Sequence, residues 1–117
     1  HVPLTNQTHH MLSDQQFKLM KRGSFLINTS RGKIVDSKSL KNAISSGVLS
    51  GVAIDVTDPE PLPFDDELLG MDNVLITPHI SSASTATVNA MGIMAAHNII
   101  AALSGQKMPS CLNPQVF

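Results

Sequence analysis

Three short stretches decide the fold of this chain: Ser24-Phe25-Leu26-Ile27-Asn28, Val52-Ala53-Ile54-Asp55 and Val74-Leu75-Ile76-Thr77. Their cores are aliphatic runs that do not alternate with polar residues, the pattern of a strand buried on both faces. Helix signals lie before and between them. Ser13 can cap a helix, Gln16 can reach back to it as in a capping box, and Leu12 can staple onto Phe17, with Gly23 as the stop. Asp36 or Ser37 opens a second helix, with Leu40, Ala43 and Ile44 on one face and Gly47 at its end. Strands alternating with helices imply right-handed crossovers and a parallel sheet, an α/β architecture.

Towards the C-terminus a long helix is expected from about Ser81 to Leu103, closed by Gly105. Val88, Met91, Met94, Ala95, Ile99 and Leu103 fall on more than one of its faces, so it should be covered on more than one side. A chain this short has little with which to cover it, which points to another domain, another chain or both. The most apolar part, residues 90–103, is interrupted by His97 and Asn98 and reads as too short and too polar to span a bilayer. Residues 108–117 hold two prolines and no periodicity and should run over a surface. The expected division is residues 1–80, a sheet domain, and 81–117, the long helix and tail.

Charge and composition exclude several classes. The 117 residues carry 8 basic and 9 acidic side chains, a formal net charge of −1. With no basic run there is no electrostatic reason to expect nucleic acid or a membrane surface as partner. A hydrophobic fraction of 42% argues against general disorder, and with no Trp and no Tyr the core must be aliphatic residues and the 6 Met. The single cysteine, Cys111, can form neither an internal disulfide nor a Cys-based zinc site, which fits a reducing, cytoplasmic setting. The chain opens on His1 with no signal-peptide pattern, and reads as a piece of a longer chain or a processed one.

In a parallel sheet all strand C-termini share one edge, and ligands bind outside it. Three loops leave that edge: Asn28-Thr29-Ser30-Arg31-Gly32, Asp55-Val56-Thr57-Asp58-Pro59-Glu60-Pro61 and Thr77-Pro78-His79-Ile80. They bring a guanidinium, carboxylates and an imidazole, which can converge on one pocket. Arg31 offers a planar fork that matches a carboxylate. His79 can give or take a proton near neutral pH. Glu60, hydrogen-bonded to the imidazole, would orient the ring and favour its charged form. Such a trio suits an anionic substrate with a carbonyl to be protonated, as in a 2-keto acid under reduction. Pro59, Pro61, Pro63 and Pro78 stiffen two of the loops.

These same residues resemble a known family. Residues 21–36, Lys-Arg-Gly-Ser-Phe-Leu-Ile-Asn-Thr-Ser-Arg-Gly-Lys-Ile-Val-Asp, look like a signature of the D-isomer-specific 2-hydroxyacid dehydrogenases. Ile54-Asp55-Val56-Thr57-Asp58-Pro59-Glu60-Pro61-Leu62-Pro63 and Thr77-Pro78-His79-Ile80-Ser81-Ser82-Ala83 look like the next two blocks, and Val2-Pro3-Leu4-Thr5 like the segment before them. The wording around Asp55 to Pro63, with the ending at residues 105–110, is closest to the animal glyoxylate reductase/hydroxypyruvate reductase branch. The resemblance implies the second half of a Rossmann-like doubly wound parallel sheet, three strands with helices, plus a long C-terminal helix and tail returning to a substrate domain. It implies that Arg31 binds the substrate carboxylate and keto oxygen, that His79 is the general acid for reduction and that Glu60 is its partner. It places Asp55 on the nicotinamide carboxamide, and Pro3, Thr5, Thr29 and Ser30 along the cofactor, NADP or NAD. It implies a small 2-keto or 2-hydroxy acid as substrate and a homodimer.

The sequence also departs from the family pattern. Ser81 stands where the family has Gly after His-Ile, and Ser tolerates positive φ poorly at a backbone that approaches the cofactor. No G-x-G-x-x-G occurs in these residues. A second branch of the family, the C-terminal-binding corepressors, uses the same fold to sense dinucleotide; the Thr57 to Pro63 wording favours the reductases. The 117 residues by themselves are expected to be inactive and to self-associate, with the strand around Leu26 as an exposed edge. The other polar residues read plainly. His9 and His10 are surface residues, His97 a packing histidine in an apolar helix, and Met91 and Met94 core or interface filler. Asp65-Asp66-Glu67 is a solvated acidic helix start and not a metal site, and Cys111 is incidental.

Overall fold

The computed structural model describes residues 1–116 and divides the chain into two compact units, His1–Ile80 and Ser81–Phe117. In the first unit α1 (Asp14–Leu19), β1 (Ser24–Asn28), α2 (Ser37–Ser45), β2 (Leu49–Ile54) and β3 (Val74–Ile76) follow in order, with short 3-10 turns at Gly32–Ile34 and Glu67–Gly70. The capping box forms: Gln16 Oε1 accepts from the Ser13 N–H at 3.1 Å and from its hydroxyl at 2.8 Å. The helix ends at Leu19, short of the expected stop, and Gly23 (φ +82°) serves instead in the turn into β1. Asp36 caps α2, its Oδ1 accepting from Ser39 N–H at 2.8 Å. Hydrogen bonds from Ser39, its side chain first and its backbone N–H second, hold the Asp36 carboxyl below its ordinary value.

The sheet is parallel in the order β1-β2-β3, with Leu26 opposite Val52, Asn28 opposite Ile54, and Ile54 opposite Ile76. Phe17, Val35, Leu40, Ala43, Ile44, Leu49, Val52 and Ile54 form the core between helices and sheet, with Leu12, Leu26, Val74 and Ile76 packed against it. A parallel bridge from Leu12 to Val35 ties the N-terminal segment to this body.

The expectation that the strands are buried on both faces is corrected. β1 alternates, and Phe25 (75% exposed), Ile27 (73%) and, on β3, Leu75 (62%) leave one face of the sheet open. β1 is also an edge strand. On this face the Phe25 ring lies across Gly51: a Cβ there would fall 2.7 Å from Phe25 Cε1.

Two plain readings also change. His10 is part-buried, in the left-handed region (φ +50°), with Nδ1 3.5 Å from Asp36 Oδ2 and its ring 4.0 Å from that of exposed His9. Asp66 is part-buried too. It caps the Glu67–Gly70 turn through the Leu68 N–H (2.9 Å) and accepts from Lys41 Nζ at 3.0 Å. Burial opposes its charge, yet these two partners outweigh burial and hold its carboxyl below the ordinary value. Asp65 and Glu67 are exposed.

In the second unit α3 (Thr85–Leu103) is capped by Ser84, whose hydroxyl accepts from Thr87 N–H at 3.2 Å. It begins four residues later than expected and buries none of its residues. His97 is therefore exposed, not packed, and Met91 and Met94 are exposed as well. By length and composition α3 meets the requirement for a membrane span, with mean hydropathy 1.4, which corrects the reading of residues 90–103 as too short and too polar. A helix covered by protein on several sides meets the same requirement. The tail folds back on α3, with the Ser110 N–H donating to Asn98 Oδ1 at 3.0 Å. Phe117 lies outside the described residues.

Candidate active site

Parallel pairing brings the ends of β1, β2 and β3 to one edge, so the loops after Asn28, Ile54 and Ile76 leave the sheet side by side. Asp55, the first residue after β2, is 4% exposed. Its Oδ1 accepts from the Thr77 hydroxyl at 2.5 Å and from the Ile80 N–H at 2.8 Å. The carboxylate thus clasps the third loop at both ends, with His79 between the two anchor points.

His79 itself takes φ +54°. For a non-glycine residue this conformation costs roughly 1–2 kcal/mol and persists only where the surroundings fix it. Here they do so through the Asp55 clasp, the His79 N–H to Thr77 O bond at 3.0 Å, and a bond from the imidazole Nδ1 to Glu60 Oε1 at 2.6 Å. An ionised Glu60 only accepts, so Nδ1 carries the proton and Nε2 is the nitrogen left to exchange one. Positive φ falls at His79 and not at Ser81. Ser81 is the first residue of the second unit.

Glu60, His79, Asp55, Thr57 and Pro78 line one cleft of about 590 Å³. Arg31 is not among its lining residues. With Pro3, Ser30 and His1 it lines a second cleft of about 460 Å³, and its Nη1 donates to Ser30 O at 2.6 Å. Glu60 and His79 thus share a cleft that Arg31 does not line, and the guanidinium turns onto the carbonyl of its own loop. A guanidinium has five N–H donors, and this contact occupies one nitrogen. Thr5 borders a third cleft with Leu4, Asn6, His9 and Lys33, and the Thr29 hydroxyl lies 3.0 Å from His1 Nδ1. No group of three or more His, Cys, Asp or Glu residues is placed to hold a metal among the described residues.

The sequence reasoning passed over Asn28 and Thr77. Asn28, 7% exposed, bonds three times into the Arg31 loop, and Thr77 anchors the His79 loop. Both are short polar residues at strand ends, and that position is the signal that could have found them.

A parallel sheet whose C-terminal edge carries a carboxylate-held imidazole defines a Rossmann-like α/β domain with acid–base capability. Residues 1–81 match the family described as D-isomer specific 2-hydroxyacid dehydrogenase, NAD binding domain, and the chain belongs to that family. It is 46% identical over 116 residues to a glyoxylate reductase of Korarchaeum cryptofilum, covering 99% of this chain and 35% of the relative. It is 44% identical, again over 116 residues, to glyoxylate/hydroxypyruvate reductase B of Pectobacterium carotovorum, covering 99% of this chain and 36% of that one. Among solved structures, the TT0316 protein of Thermus thermophilus superimposes with a TM-score of 0.90 at 44% identity, over 96% of this chain and 36% of that one. A D-isomer specific 2-hydroxyacid dehydrogenase of Xanthobacter autotrophicus, in complex with NADPH and MES, gives a TM-score of 0.81 at 33% identity, over 98% and 47%. The chain spans about a third of the length of the curated relatives it matches.

The family's dinucleotide can be tested against the residues present. Ser30 and Thr5 each border a cleft and the Thr29 hydroxyl faces His1, so short polar side chains that suit the polar nicotinamide end of such a group are present. The glycine-rich loop that receives the phosphates does not occur among these 117 residues.

Proposed function

We propose that this chain serves the NAD(P)H-dependent reduction of a small 2-keto acid, glyoxylate or hydroxypyruvate, to the D-2-hydroxy acid. The observation that carries the reading is the Glu60–His79 pair, held at 2.6 Å on a left-handed residue at the ligand edge of a parallel sheet. The reductase names of the relatives support the substrate class. The reading calls for a phosphate-binding loop, and no glycine-rich motif of that kind occurs among the 117 residues.

In this reading reduced nicotinamide supplies the hydride when bound. Pro3, Thr5, Thr29, Ser30 and Asp55 would hold the cofactor, with Asp55 offering its carboxylate to the carboxamide. Arg31 takes the substrate carboxylate and keto oxygen, leaving Ser30 O for a charged partner. His79 delivers a proton from Nε2 to the carbonyl oxygen as charge develops there, and takes it back in oxidation. Glu60 holds the imidazole at Nδ1 through both directions. The setting is a cytoplasmic homodimer.

The test is reduced-nicotinamide consumption by the protein carrying this sequence, with glyoxylate and hydroxypyruvate and with NADH and NADPH in parallel. Turnover that is lost in His79→Ala supports the reading. No turnover with either acid, or full turnover in His79→Ala, overturns it.

A further inference from the structure

Resting on the assignment of Arg31 to the substrate carboxylate, we propose that Asn28 and Gly32 are positioning residues. They fix the Arg31 loop from both ends against the loop that carries Glu60.

The first end is Asn28. It forms the last pair of the β1–β2 ladder, opposite Ile54, and its carbonyl accepts from the Asp55 N–H at 2.9 Å. The base of the Arg31 loop is therefore tied by backbone to the base of the next. The buried amide closes the loop above it. Oδ1 accepts from the Ser30 N–H at 3.0 Å and the Ser30 hydroxyl at 2.8 Å, and Nδ2 donates to Arg31 O at 3.0 Å. This network needs an acceptor and a donor on one short planar group. Asp keeps the acceptor and loses the donor. Ser cannot serve both sites.

The second end is Gly32. A Cβ there would lie 1.9 Å from Thr57 O, 2.2 Å from Thr57 C and 2.8 Å from Asp58 N. All three are backbone atoms, so nothing flexible can swing aside. The two loops touch main chain to main chain, two residues before Pro59-Glu60. Any side chain at position 32 would push the loops apart. Arg31 sits between the two fixed points, and its Cα is located relative to the Glu60–His79 pair by residues that themselves meet no substrate.

Three variants of the protein carrying this sequence test the proposal: Asn28→Asp, Asn28→Ala and Gly32→Ala. The readouts are kinetics with the 2-keto acid varied, inhibition by oxalate as a carboxylate probe, and amide hydrogen exchange. Asn28→Asp should raise KM for the acid and weaken oxalate at least tenfold, while the pH profile of kcat, set at the untouched Glu60–His79 pair, stays in place. Gly32→Ala should raise KM and also lower kcat, because the loop carrying Glu60 moves too. Asn28→Ala should speed exchange of the Ser30 amide at least tenfold. An Asn28→Asp enzyme with KM within twofold of the parent overturns the proposal. So does an Asn28→Ala protein whose Ser30 amide exchanges as slowly as the parent's. A parent that reduces no 2-keto acid refutes the function proposed above; the exchange arm then decides separately whether Asn28 holds the loop.

Discussion

Thr77→Val removes a single hydroxyl and keeps the shape of the side chain. In the structure that hydroxyl donates at 2.5 Å to Asp55 Oδ1, on a carboxylate that is 4% exposed. Hydrogen bonds to charged groups contribute about 1.5–3 kcal/mol, and a buried partner left behind keeps its desolvation cost. The Ile80 N–H stays on the same oxygen at 2.8 Å, which limits the damage, so the expected loss is about 2 kcal/mol. That is roughly a 30-fold rise in the unfolded population. With a urea slope of about 2 kcal/mol/M, the unfolding midpoint should fall by about 1 M at constant slope. Urea titration followed by circular dichroism measures this directly. Thr77→Ser, which restores the donor, should recover more than half of the shift. Amide exchange at Ile80 should quicken in the valine variant, because its acceptor is shared with the missing hydroxyl. A midpoint within about 0.2 M of the parent would show that the Asp55 clasp does not hold this loop. The left-handed backbone of His79 would then be held by something other than Asp55.

Asp36→Ala should cost about 1 kcal/mol through loss of the α2 cap, with Asp36→Asn nearly neutral at pH 7. Asp36 and Asp66 both titrate below the ordinary carboxylate value of 3.8, so the unfolded chain takes up protons first. Their stabilisation should be complete well above pH 3.8 and vanish as pH falls below it, and an acid-unfolding series should come out flatter in Asp36→Ala. His79→Ala should lower kcat by about 100-fold to 10,000-fold. Glu60→Gln should have a smaller effect, because the pair is half-exposed and its charge is screened; equal losses in the two variants would contradict the roles assigned. The 117-residue chain on its own should self-associate through the open sheet face and show no turnover. Light scattering should find less association after Ile27→Lys, and a monomeric parent would refute the idea.

Much of this architecture was legible because local chemistry and tertiary packing agree. Ser13 with Gln16, and Asp36 before Ser37, announce their helices by side-chain bonds that form within three residues. The three aliphatic runs became the three strands. The beginning of β2 was hidden, because Leu49-Ser50-Gly51 follows Gly47 and reads as turn, whereas Leu49 is fully buried and pairs with Ser24. The open sheet face was hidden too, since a run of aliphatic residues says that cover is wanted but not that it is present. At the site, the pairing of Glu60 with His79 could be anticipated from two loops at one edge. The rotation of Arg31 onto Ser30 O could not, because it depends on a side-chain torsion that spacing does not encode. The bracing by Asn28 and Thr77 depends on distances between strand ends that only the register fixes.

The ring of Phe25 lying across Gly51 binds the fates of two positions on neighbouring strands. Enlarging residue 51 even to alanine would force the ring to shift. Shrinking residue 25 would uncover a strip of main chain that has no side chain of its own to shield it. Homologues should therefore vary these sites in concert, a small residue on one strand answering a broad flat one on the other. Engineering of this edge would do best to change both together.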